Sequence, residues 1–105
     1  MKTHIKLTQQ LRLAASKVGL SYKVLRDQMN NDVYFDLIVG KIHVLSIVLD
    51  GDDKSEYFWL MNNENSEVQI HKLEDFDEVI EHIFNGYKLH QFLETNAFIM
   101  SEFKN

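Results

Sequence analysis

The side chains able to do chemistry in this sequence are five histidines and sixteen carboxylates, with no cysteine. A thiolate nucleophile, a disulfide framework and a cysteine-based zinc site are therefore excluded. His43 lies among apolar neighbours and, in a hairpin centred on Gly40-Lys41, falls diagonal to Asp36. An imidazole beside a carboxylate is the smallest unit of general acid–base chemistry. No nucleophile or cofactor motif stands next to it, so the pair is expected to be a partly buried histidine satisfied by its carboxylate. Glu78 and His82 stand four residues apart on one helix, and His90 follows on the next segment. His-Glu-x-x-His is absent, and Glu78, Glu81 and His82 fall on the polar side of the helical wheel, which reads as a solvated face. Asp50-Gly51-Asp52-Asp53-Lys54-Ser55-Glu56 is superficially similar to a calcium loop. It fails because Lys54 stands where an oxygen ligand belongs, and because its glycine is second instead of sixth. Phosphate loops, dinucleotide fingerprints and nucleophile elbows are missing. Neither an enzyme nor a cofactor or metal is expected.

Charge is the stronger signal. The formal net charge of −5 is unevenly spread. Residues 1–49 carry seven bases against three acids, a balance of +4, and residues 50–105 carry four bases against thirteen acids, a balance of −9. A dipolar layout of this kind can orient a molecule toward a charged partner. The expected partner surface is acidic: Asp50, Asp52, Asp53, Glu74, Asp75, Asp77, Glu78 and Glu81. The reading is of a small acidic, non-enzymatic module that docks on a larger protein with a basic surface and inhibits or modulates it. Small inhibitors and immunity-type accessory proteins of mobile elements share this size and charge, an analogy of profile alone.

An alternative rests on residues 13–26. Leu13-Ala14-Ala15-Ser16-Lys17-Val18-Gly19-Leu20-Ser21-Tyr22-Lys23-Val24-Leu25-Arg26 resembles the helix-turn-helix pattern, with Ala15, Val18, Gly19, Leu20 and Leu25 at the family's alanine, apolar and glycine positions. The resemblance implies a DNA-binding regulator in which Ser21, Tyr22, Lys23 and Arg26 face the major groove and phosphates. It departs from the pattern at Gln28, where an apolar residue is expected, and little chain precedes it to form a supporting helix.

These side chains must be positioned by a single domain spanning residues 1–105. Leu7, Leu11, Ala14, Ala15 and Val18 mark one face of a helix over about residues 4–18, closed by Gly19 as a C-cap. A strand follows over 20–26. Val33, Phe35, Leu37 and Val39 alternate with more polar residues. Gly40-Lys41 then suits a two-residue type II′ turn, which pairs 39 with 42, 37 with 44, 35 with 46 and 33 with 48. One sheet face would hold Val33, Phe35, Leu37, Val39, Ile42, Val44, Ser46 and Val48, and the other would be mixed. Further strands are expected at 57–61 and 68–71. A helix follows from Asp75, ended or kinked at Gly86, and a last helix covers about 88–103. The expected fold is α+β, an antiparallel meander of about five strands with one N-terminal and two C-terminal helices on one face. Phe98 and Ile99 fit the last helix's inward face poorly, and side chains so placed can mark a homodimer contact. The longest apolar run, near Val44–Leu49, falls far short of the roughly 20 residues a membrane span needs. With no signal-peptide pattern at the N-terminus, a cytoplasmic location is expected.

Overall fold

In the computed structural model, which describes residues 2–87, helix α1 (Lys2–Val18) stops at Gly19. Gly19 has φ 71°, its N–H donates to the Ser16 carbonyl at 3.2 Å, and the Leu20 N–H donates to the Ala15 carbonyl at 2.9 Å. This pair of bonds is a Schellman cap, and the left-handed backbone it requires costs glycine no Cβ clash. The chain leaves the cap extended, and Ser21–Arg26 forms strand β1. The helix-turn-helix expectation is thereby corrected: Ser21, Tyr22, Lys23 and Arg26 lie on a strand, and no recognition helix follows the turn.

Strands β2 (Val33–Val39), β3 (Ile42–Leu49), β4 (Tyr57–Asn62) and β5 (Val68–Lys72) complete one antiparallel sheet in the order β1-β2-β3-β4-β5. Each strand pairs with its neighbours in sequence, as short connections favour. The Gly40-Lys41 turn forms as read: Gly40 has φ 64° and Val39 pairs with Ile42. Beyond it the register departs from expectation. Ile38 pairs with His43, but Leu37 pairs with Leu45, Asp36 with Ser46 and Phe35 with Ile47. A β-bulge leaves Val44 as the extra residue, its carbonyl accepting from the Asn63 N–H at 3.0 Å. The expected core face is thus corrected: Leu45, Ile47 and Leu49 point with Val33, Phe35 and Leu37, while Ser46 and Val48 turn to the other side. The bulge replaces Val, Ser and Val by Leu, Ile and Leu against the helices, so larger apolar side chains face them and the Ser46 hydroxyl, also buried, turns to the other face.

A 3-10 turn, Leu73–Asp75, leads into helix α2 over residues 76–87. Both helices lie on one face of the sheet, α1 over β1 and β2, and α2 through Phe76, Ile80 and Phe84 in the core cluster. Phe76 meets Phe58 of β4 edge-on, with centroids 5.1 Å apart, a favoured aromatic geometry. Helix α2 is continuous through Gly86, which does not end it, and is described as far as residue 87. The expected helix over 88–103 and the contact at Phe98 and Ile99 lie outside the described residues. No described helix is long and apolar enough to cross a membrane.

Candidate functional site

The bulge assembles a polar cluster on the face away from the helices. Ser46 Oγ donates to Asp36 Oδ1 at 2.7 Å, and His43 Nε2 stands 2.9 Å from Ser46 Oγ and 3.2 Å from Asp36 Oδ1. Serine, histidine and aspartate together invite comparison with a hydrolytic triad, whose histidine uses one ring nitrogen toward serine and the other toward the carboxylate. Here a single nitrogen serves both, and the serine proton is given to the carboxylate. The imidazole therefore does not bridge hydroxyl and carboxylate through its two nitrogens as a triad histidine does. The cluster satisfies two buried polar groups, Asp36 and Ser46, as buried polar groups require. The sequence placed His43 beside Asp36 but missed Ser46, because the bulge that brings it round carries no marker of its own.

The eight carboxylates of the expected acidic surface fall into two neighbouring groups. Asp50, Asp52 and Asp53 lie in the β3–β4 loop, and with Leu73 they line one small cavity. The Leu73 N–H donates to the Glu56 carbonyl at 2.7 Å, tying that loop to the start of the 3-10 turn. Glu74, Asp75, Asp77, Glu78 and Glu81 continue along the turn and α2, all exposed. Residues 73–87 contain these five acids and neither lysine nor arginine. Two of them have weak partners: Lys72 Nζ is 3.9 Å from Glu74 Oε1, and Gln10 Nε2 donates to Asp77 Oδ1 at 3.4 Å. Asp77 and Glu81 also rim the groove between α2 and α1, opposite Lys17.

The opposite edge of the sheet is basic. Residues 2–26, which make α1 and β1, contain six lysines and arginines and no acid. The four residues named for DNA contact are divided by the strand's alternation. Tyr22 faces α1, stacked on Phe35 with centroids 4.9 Å apart and capped by the Arg12 guanidinium 5.7 Å away. Arg26 faces the same side and lines a cleft of about 330 Å³ between α1 and β1, together with Arg12 and Thr8. Ser21 and Lys23 face the other side. The cleft was not legible in the sequence, because it depends on how α1 crosses β1.

His4 lines that cleft and also the small cavity beside Asp50, Asp52 and Asp53. It is buried and its Nδ1 has no hydrogen-bond partner. Among the described residues no group of three or more His, Asp or Glu side chains is arranged to hold a metal. The sheet face away from the helices carries exposed Leu25, Met61, Val68 and Ile70. No family model, curated protein or solved structure matches the chain.

Proposed function

We propose that the chain is a non-enzymatic protein-binding module that docks its acidic side on the basic surface of a larger macromolecular partner and inhibits or modulates it. The observation that carries this reading is the run of five exposed carboxylates over residues 73–87 with no lysine or arginine among them. The β3–β4 loop, tied to the same end of the sheet by the Leu73–Glu56 hydrogen bond, extends the negative surface with Asp50 and Asp52. Exposed like charges held on a rigid helix set up a field that speeds encounter with a basic patch and rejects acidic surfaces. The basic opposite edge adds orientation, because a molecular dipole aligns before contact. The departure of His43, Ser46 and Asp36 from triad geometry is consistent with a non-enzymatic reading.

The test is capture of partners on the immobilised chain, beside a variant carrying Asp75→Lys, Glu78→Lys and Glu81→Lys. These side chains are exposed, so the variant should keep its circular dichroism spectrum. A partner retained by the parent at low salt, lost at high salt and lost on charge reversal supports the reading. A partner held equally by both chains, or none held at low ionic strength, removes it.

A further inference from the structure

Strand β1 is an outer strand of the sheet, so half of its backbone N–H and C=O groups lack a strand partner on that edge. Such an edge can be blunted by proline, by a bulge, by a covering element or by charged side chains, and among the described residues β1 carries only the last, Lys23 and Arg26, which leave its backbone open to a strand of opposite charge. Instead α1 stands beside it and leaves a cleft of about 330 Å³, walled by Ile5, Thr8 and Arg12 on the helix and by Val24 and Arg26 on the strand. A groove between a helix and a sheet edge suits an extended peptide, whose backbone pairs with the edge while alternate side chains enter the groove.

The charges around the edge specify the occupant. Arg12 and Arg26 face the cleft, and Lys23 lies on the opposite face of the same strand. An added strand would therefore meet a base with either set of its alternating side chains. Three acids of the neighbouring β1–β2 loop and β2 direct their carboxylates to other donors. Asp36, which pairs across from Lys23, accepts from Ser46 and contacts His43. Asp27 accepts from the Met29 N–H at 2.8 Å, and Asp32 accepts from the Gly51 N–H at 2.7 Å. No ion pair joins Arg12, Lys23 or Arg26 to an acid among the described residues.

We propose that the β1 edge and the α1–β1 cleft bind an extended acidic peptide segment of a partner protein, added to the sheet as a sixth strand. This surface is separate from the acidic side and makes a separate claim, so either can fail alone.

The test uses two labelled peptides, alternating Glu-Val and alternating Lys-Val, each about six residues long to match β1. Fluorescence anisotropy should give the Glu-Val peptide an affinity about tenfold or more above that of the Lys-Val peptide, with the preference shrinking as salt rises. Combined Arg12→Gln and Arg26→Gln should weaken it by about tenfold, while Lys72→Gln, on the opposite edge strand β5, should not. Lys23→Gln, on the other face, gives a second variant independent of the cleft. Bound Glu-Val peptide should also slow hydrogen exchange of β1 amides. Equal binding of the two peptides, affinity unchanged by the arginine substitutions, or protection elsewhere than β1 overturns the proposal. So does binding of a short single-stranded oligothymidylate in place of the peptide with the same arginine dependence. Self-association of the chain lost with the same arginines would also overturn it, since a second copy would then be the occupant.

Discussion

Ser46 donates its hydroxyl to Asp36 at 2.7 Å because one extra residue, Val44, is inserted between the Gly40 turn and the centre of the β2–β3 pairing. Without that bulge Ser46 would point under the helices and Asp36 would face a different neighbour. The bulge therefore has two effects on one pair of strands: it gives the core Leu45, Ile47 and Leu49, and it gives a buried carboxylate its hydroxyl donor.

Substitution of Ser46 distinguishes these registers. In the bulged sheet, Ser46→Ala leaves buried Asp36 short of a donor and should cost about 1–3 kcal/mol. In the unbulged register the same change would remove a hydroxyl from an oily face and would be neutral or stabilising. Urea denaturation with an unchanged slope measures the difference.

Phe35 is fully buried at the centre of β2, between Tyr22 and Ile47. Phe35→Ala should cost about 3–5 kcal/mol, from lost transfer energy and the cavity left behind. Against a typical total of roughly 5–15 kcal/mol, that change would leave little stability. A urea melt that lost under about 1 kcal/mol would contradict the packing described, since such a value belongs to exposed positions.

Two glycines should respond to alanine for different reasons. Gly51 packs against the backbone of the β1–β2 loop: a Cβ there would collide with the Asn30 carbonyl oxygen and lie 2.7 Å from the Asn31 carbonyl carbon. The Gly51 N–H also donates to Asp32, so the two loops are locked together. Gly51→Ala should cost about 1–3 kcal/mol through overpacking, toward the upper end because the obstacle is backbone and cannot swing aside. Gly19 has open space around its Cβ position but sits at φ 71°. Gly19→Ala should cost about 1–2 kcal/mol from left-handed strain alone. Thermal melts of both variants, with hydrogen exchange in the β1–β2 loop, would separate them: only Gly51→Ala should loosen that loop.

The parts of this fold that could be read in advance are those where one physical preference had no rival. Gly19 follows the last apolar position of α1 and is the only residue there that adopts the cap freely. Val33, Phe35 and Leu37 alternate with Tyr34, Asp36 and Ile38, so the inward side of β2 was clear. Strand β3 offered no such contrast. Val44, Leu45, Ile47, Val48 and Leu49 are apolar on both faces, and all five are buried. Period alone could not choose between them, and the choice fell to the greater volume of leucine and isoleucine under the helices. The polar cluster inherited the same ambiguity. His43 and Asp36 were near in either register, whereas Ser46 was not. The cleft at β1 was hidden for another reason: Arg12 and Arg26 are fourteen residues apart, and only the packing of α1 beside β1 brings them to one cleft.

Tyr87 provides a pH-dependent test of how α2 sits on the sheet. Burial raises the pKa of its phenol above the ordinary 10.0, and the nearby charge of Glu64 raises it further. Both effects favour the neutral form in the folded state. The native chain then holds this proton more tightly than the unfolded chain, so the stabilisation is fully present below the ordinary value. It is lost as pH rises through 10.0 toward the raised folded value. Tyrosinate absorbance should show one late component, absent in Tyr87→Phe. Glu64→Gln should move that component partway back toward the ordinary value, because it removes the charge and leaves the burial. If the phenol titrated at its ordinary position in the folded protein, Tyr87 would not be partly buried against the core cluster.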